Sequence, residues 1–154
     1  MENDLNQSAD FLSFYLGNEL YGVAIHDVEE IRVWEAPTPI PCSPNFVKGV
    51  INLRGMIVPV VDLRARFSIG NCEYLPTTVV LVLRHKLDDK HRLMGVVVDS
   101  VSDVVIQGNQ EFESCVGDSS ITPYLFGMLN VGELLMAVLD TQLLLDINLI
   151  FGEE

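Results

Sequence analysis

No lysine or arginine follows Arg92. All nine basic residues lie between Arg32 and Arg92, and the stretch from Leu93 to the end carries only acids among its charged groups. The net charge is −13. Such a surface repels nucleic acid, whose affinity for proteins comes mainly from Lys and Arg neutralising phosphates. It disfavours an anionic membrane for the same reason. No nucleic-acid partner and no direct membrane insertion are therefore expected. Cysteine is scarce: Cys42, Cys72 and Cys115 stand far apart, are odd in number and form no CxxC. That excludes a disulfide framework and a zinc site, and predicts free thiols in a reducing compartment. No apolar run reaches the ~18 residues of a membrane span, and no charged-then-apolar leader opens the chain. The expectation is a soluble, cytoplasmic protein.

Signature loops of common chemistries are missing as well. There is no GxxxxGK[ST], no GxSxG and no HExxH. The histidines are His26, His85 and His91. His85 and His91 flank a polar stretch with Asp88 and Asp89, where a solvated loop outweighs a metal site because too few ligand types converge. Asp62 and Asp140 end apolar runs ahead of helical turns, which suits capping. Asp99 and Asp103 show no partner that would make either a general base. No catalytic constellation, cofactor or metal is expected.

What is present is apolar. Hydrophobic residues make up 49% of 154, enough for one domain with a real core. Residues 1–10 read as a flexible tail, 11–150 as the domain and 151–154 as a short C-terminal tail. The most informative stretch is 47–63, in which two Val- and Ile-rich runs flank Asn52-Leu53-Arg54-Gly55. β-Branched runs favour strands, and glycine tolerates the positive φ of a turn. This predicts a β-hairpin with Arg54 at its tip. Pro59 offers no ladder donor, so its strand is expected at an edge or at a bulge. As a lone tip residue Arg54 reads first as solvated, and second as a contact.

Further strands are expected over 11–16, 20–25, 77–83, 93–98, 101–106, 124–129 and 134–139. A short helix is expected over 26–32, where Val28 and Ile31 lie one turn apart. Residues 84–92 read as an exposed hairpin loop and 107–122 as a long loop. One helical turn is expected at 64–67 and another at 141–145. Nine or ten short strands with only short helices point to small barrels or a sandwich.

The chain also repeats. Residues 22–31 align without gaps on 95–104, with Gly, Val and acidic positions recurring, and Gly49, Asn52 and Asp62 correspond to Gly127, Asn130 and Asp140. Duplication into two similar β units follows, with a groove between them as a natural partner site.

Five motifs in order resemble the CheW-like coupling proteins of bacterial chemotaxis. They are Phe14-Tyr15-Leu16-Gly17 with Tyr21-Gly22; Val28-Glu29-Glu30-Ile31; Phe46 to Gly55; Ile57 to Arg64; and Val98-Asp99-Ser100-Val101-Ser102-Asp103-Val104. The resemblance spans about residues 11–145 and is weakest over 107–122. It implies a mainly β fold of two small five-stranded SH3-like barrels around a shared core, with strands partly exchanged between sequence halves. It implies a non-enzymatic adaptor without cofactor. Its partners would be the cytoplasmic tip of chemoreceptors and the regulatory domain of the histidine kinase CheA, which shares the fold and can alternate with the adaptor in rings.

Carried over by position, the receptor contacts would be Val28, Glu30 and Ile31 on the short helix, Arg54 and Ile57 from the hairpin, and Val79, Val80, Val101 and Val104 across the groove. Lys48 and Gly49, ahead of the hairpin, would meet the kinase. For Arg54 the competing role is structural, holding the turn through backbone carbonyls; for Val28, Ile31, Val101 and Val104 it is ordinary core. Rival readings are an adaptor of a pilus-motility or other chemosensory pathway, a regulatory fragment of a kinase, disfavoured by a start ten residues before the fold, and a small enzyme, disfavoured by the missing catalytic groups.

Overall fold

The structure is a computed structural model, and it describes residues 10–69, 73–87, 90–114 and 124–145. Among the described residues, ten strands fall into two five-stranded sheets. The first contains β1 (Asp10–Leu16), β2 (Glu19–Ala24), β8 (Ser100–Ile106), β9 (Leu125–Val131) and β10 (Leu134–Leu139), in the order β8-β1-β2-β10-β9. The second contains β3 (Val28–Val33), β4 (Val47–Leu53), β5 (Met56–Asp62), β6 (Val79–Leu87) and β7 (Lys90–Val98), in the order β3-β6-β7-β5-β4. Helices are short: α1 (Leu63–Phe67) and α2 (Thr141–Leu144). The mainly β, two-unit architecture expected from the strand count and the repeat is what forms.

The repeat is visible in the registers. Gly49, Val60 and Gly95 lie side by side across β4, β5 and β7. Gly127, Val138 and Gly22 do the same across β9, β10 and β2. The sequence halves are not the spatial halves: the chain crosses from the first sheet to the second after β2, and back again after β7. Each crossing delivers an outer strand, β3 or β8, to the other sheet.

Three apolar clusters account for the burial. A central one joins both sheets through Leu12, Phe14, Leu16, Val61, Leu81, Leu83, Val96 and Val98, with Phe67 of α1 and Leu144 of α2. One lies within each sheet, around Val58, Val80, Val82 and Val97 in the second and Phe11, Leu129, Met136 and Val138 in the first. Strand β6 therefore buries alternate residues in different clusters, Leu81 and Leu83 against Val80 and Val82. Burial on both faces explains its unbroken apolar run.

The β4–β5 hairpin turns at Arg54 and Gly55, with φ of 50° and 90°. Two successive positive-φ residues make the tight turn whose twist matches antiparallel strands, and Asn52 Oδ1 accepts from Gly55 N at 2.9 Å. Asp62 caps α1 by accepting from Arg64 N, and Asp140 caps α2 by accepting from Gln142 N.

Three expectations need correction. Residues 26–32 do not form a helix: a 3-10 turn, Ile25–Asp27, leads into strand β3, which pairs with β6 from Val28↔Leu83 to Val33↔Val79. Seven residues are too few to hold a helix alone, and Val28, Ile31 and Val33 gain a ladder on a buried strand. Residues 84–92 are not chiefly loop. β6 and β7 stay paired out to Leu87↔Lys90, because ladder bonds need only the backbone.

Pro59 is not on an edge strand, since β5 lies between β4 and β7. The parallel ladder with β7 starts one residue later at Val60↔Gly95, and the bulge is on β4, at Lys48. Opposite Pro59, Val50 turns both backbone groups to Thr38, so proline's missing donor is not called on. Of the long loop, the described part is docked: Glu113 bridges Met128, and Phe112 packs edge-on to Phe11 and Phe126. The tails, residues 115–122, the thiols of Cys72 and Cys115, and Asp88 and Asp89 lie outside the described residues; Cys42 is a free, exposed thiol.

Candidate functional site: a charged and apolar surface on an outer strand and a hairpin tip

The second sheet ends at β3 and β4, and the β4–β5 tip returns to β3. Arg54 Nη1 donates to Glu30 Oε1 at 2.8 Å, and its Nη2 to Glu29 Oε2 at 3.3 Å. The outermost strands of the order thus meet, so the sheet curls on itself. Glu29 is the extra residue of a bulge, since Val28 faces Leu83 and Glu30 already faces Val82. The bulge brings both carboxylates to one arginine. Glu29 also accepts from Arg84 Nη1 at 2.8 Å, and Glu30 from Arg32 Nη1 at 3.0 Å. Glu30 and Arg32 share a strand face by the two-residue period.

The result is a chain of alternating charge, Arg84–Glu29–Arg54–Glu30–Arg32. Hydrogen bonding to Arg54, aided by Arg32, holds the Glu30 carboxyl below its ordinary range, and Glu30 in turn pushes the Arg54 guanidinium up. Glu29, Arg32 and Arg84 were not singled out by sequence reasoning. Their signal was the paired acids opposite a hairpin tip, readable only once β3 is known to be a strand.

Arg54 is 63% exposed and Ile57 66%. Its competing role as a holder of carbonyls is not what forms, because its partners are carboxylates of another strand. Ile31 and Val33 stand exposed along β3, and Val104 and Ile106 along β8. Val28, Val79 and Val101 are half-buried and rest on the central core. Val80 is 4% exposed and belongs to the interior of the second sheet, so its side chain is not presented. The nine positions therefore divide into an exposed set (Ile31, Arg54, Ile57, Val104), a half-buried set that includes Glu30, and one core residue. Seven lie on the second sheet and two on β8 of the first.

Lys48 and Gly49 fall inside β4, not ahead of the hairpin, and on the opposite side of the strand order from β3. Along β4 they lie about 20 Å from the Arg54 tip at ~3.3 Å per residue. Gly49 is buried with φ +145°, and a Cβ there would stand 2.1 Å from the Thr38 carbonyl oxygen. That close approach requires glycine. Lys48, on the bulge, is half-exposed.

A second charged group is buried. Arg64, 2% exposed, donates to both oxygens of Asp62 through Nε (3.0 Å) and Nη2 (2.9 Å), while Nη1 reaches Asp99 Oδ1 (2.8 Å) and the Glu73 carbonyl (2.6 Å). Burial alone would lower its pKa; the carboxylates of Asp62 and Asp99 outweigh that and raise it. Asp99 thus has the partner that the sequence did not reveal, and that partner is an ion pair. Among the described residues no helix is long and apolar enough to cross a membrane.

Comparison with known proteins agrees with this geometry. The CheW-like domain family model matches residues 10–148. Similar curated proteins are the chemotaxis protein CheW of Klebsiella aerogenes, 42% identical over 142 residues, covering 88% of this chain and 81% of that one, and the CheW of Treponema pallidum, 31% identical over 143 residues with 88% and 81% covered. The CheW of Rhizobium meliloti is 35% identical over 108 residues, with 70% and 67% covered. Among solved structures, the scaffolding protein TtCheW from Thermoanaerobacter tengcongensis superposes with a TM-score of 0.80 at 29% identity, covering 92% of this chain and 90% of its own. The expected family, its two-sheet fold and its role as a chemotaxis adaptor are thereby established: this chain belongs to the CheW-like family.

Proposed function

We propose that this adaptor couples the cytoplasmic helical tip of chemoreceptors to the regulatory domain of the histidine kinase CheA, with no catalysis of its own, as one domain over residues 11–150 acting in the cytoplasm at receptor arrays. The observation that carries this reading is the surface formed by β3 and the β4–β5 tip. Exposed Ile31 and Ile57 flank an exposed arginine whose acid partners, Glu29 and Glu30, fix its position. An apolar strip beside an oriented guanidinium suits one face of an amphipathic helix with a carboxylate or helix-end carbonyl beside it. Val104 stands exposed on β8 of the other sheet as the opposite wall in this reading, while Val28, Val79 and Val101 rest on the central core. Val80 acts from below, by holding β6. Lys48 is the proposed kinase contact, at the end of β4 away from the Arg54 tip, with Gly49 shaping the bulge that carries it.

The test is reconstitution. Receptor-containing membranes and CheA are assayed for kinase autophosphorylation with and without the chain. Receptor-dependent stimulation only when the chain is added supports coupling; equal activity in its absence refutes it.

A further inference from the structure

The Arg64 cluster lies where the two sheets join. Asp99 is the single residue between β7, in the second sheet, and β8, in the first. Besides Arg64, its side chain accepts from Gly17 N at 2.6 Å, and its own N–H donates to the Tyr15 carbonyl at 3.0 Å. Gly17, at φ +61°, makes the β1–β2 turn, and a Cβ there would meet Ile69 just past α1 at 3.0 Å. Arg64 on α1 therefore fastens the second sheet to the start of β8 and to the β1–β2 turn together. Tyr74 encloses it, donating to Asp62 Oδ2 at 2.9 Å and stacking on Trp34 at 4.0 Å between ring centroids, at the end of β3. The same cluster thus touches both outer strands.

The repeat supplies an internal control. By the register that aligns the halves, Asp99 corresponds to His26 and Arg64 to Gln142. Both His26 and Gln142 are exposed; the His26 side chain pairs with its neighbour Asp27 at 3.4 Å, and its carbonyl accepts from Arg84 Nη2 at 2.6 Å. One crossing is clamped by a buried arginine, its counterpart by a half-exposed one that reaches a backbone carbonyl and Glu29. Full burial of the charge is more than the fold itself demands, because the arginine at the other joint, Arg84, is 37% exposed.

We propose that Arg64, through Asp99, is a positioning residue for receptor binding: it fixes β8, and with it Val101 and Val104, at the set distance from β3 that a helical partner requires. This rests on the reading of β3 and β8 as walls of the receptor site. Arginine is required because its fork bonds Asp62 and Asp99 together; a lysine ammonium keeps the charge without spanning both.

The experiment compares the full chain with Asp99→Asn and Arg64→Lys, the first milder because Asp99 is partly exposed. Each is titrated with a receptor cytoplasmic fragment and with the CheA regulatory domain, and amide hydrogen exchange is followed strand by strand. Expected are about tenfold weaker receptor binding, kinase-domain binding within about twofold, and faster exchange in β8 with β4 and β5 unchanged. Parallel loss of both affinities with general loss of protection would overturn it, as would faster β8 exchange at unchanged receptor affinity. Failure of the unsubstituted chain to bind the fragment would instead remove the receptor reading on which the proposal stands.

Discussion

Arg54 Nη1 stands 2.8 Å from Glu30 Oε1, so the turn after β4 meets β3, the strand at the other end of the sheet order. The ion pair closes the sheet and aims the guanidinium. It is exposed, so its part in stability is small, while its part in orientation is direct. Arg54→Ala is expected to weaken receptor-fragment binding by about 2 kcal/mol, the scale of a hot spot. Folding stability should change by no more than ~1 kcal/mol. Paired titrations and a thermal melt measure this; equal loss toward receptor and kinase, with a lowered melting temperature, would assign Arg54 a purely structural role.

The same pair makes a prediction about pH. The Glu30 carboxyl lies below its usual value in the folded chain, chiefly through its bond to Arg54. A depressed folded pKa means stabilisation that is complete above the unfolded pKa and disappears as pH falls through the folded one. Carboxyl NMR titration should place the Glu30 midpoint below that of an unpaired glutamate, and Arg54→Ala should move it upward. An unmoved midpoint would show that the contact is not formed in solution.

Gly49 separates architecture from contact. Gly49→Ala puts a methyl against the Thr38 carbonyl at 2.1 Å in a strained φ region. It is expected to destabilise by about 2–4 kcal/mol through backbone strain and loss of the Thr38–Val50 bridge. Lys48→Ala should leave the melt nearly unchanged and lower kinase-domain affinity. Denaturant midpoints and titrations distinguish the two; a Gly49→Ala protein as stable as its parent contradicts the packing described.

Val80 and Ile57 form a matched pair. Val80→Ala removes buried methyls from the interior of the second sheet and should cost about 1–3 kcal/mol of stability, with receptor affinity of the folded protein little altered. Ile57→Ala exchanges an exposed side chain, and should do the reverse. The reverse pattern for Val80 would return it to the contact surface.

Much of this architecture was legible because it is local. Val- and Ile-rich runs announced the strands, Gly55 the turn, and Asp62 and Asp140 the caps. The repeated Gly-Val rows are strand registers written into spacing. What escaped was decided by pairing across distance. Val28 and Ile31 satisfy a helical spacing as well as a strand, and only β6 beside them settles the choice. Arg54 was legible as a tip; its acids lie 24 and 25 residues earlier. Arg64 reads as an ordinary charge after a cap, because the carboxylate that turns it inward is 35 residues away. Val80 was carried over as a contact although β6 is buried on both faces, which a continuous apolar run already implied.

The central claim is that one chain holds two partners at once, by surfaces at opposite ends of β4: the Arg54 tip with β3, and the Lys48 bulge. Light scattering coupled to size-exclusion chromatography measures it directly, on a mixture of the chain, a receptor cytoplasmic fragment and the CheA regulatory domain. The account predicts a single species whose mass requires all three. Two binary complexes that exclude one another, with no ternary mass at any ratio, would contradict it.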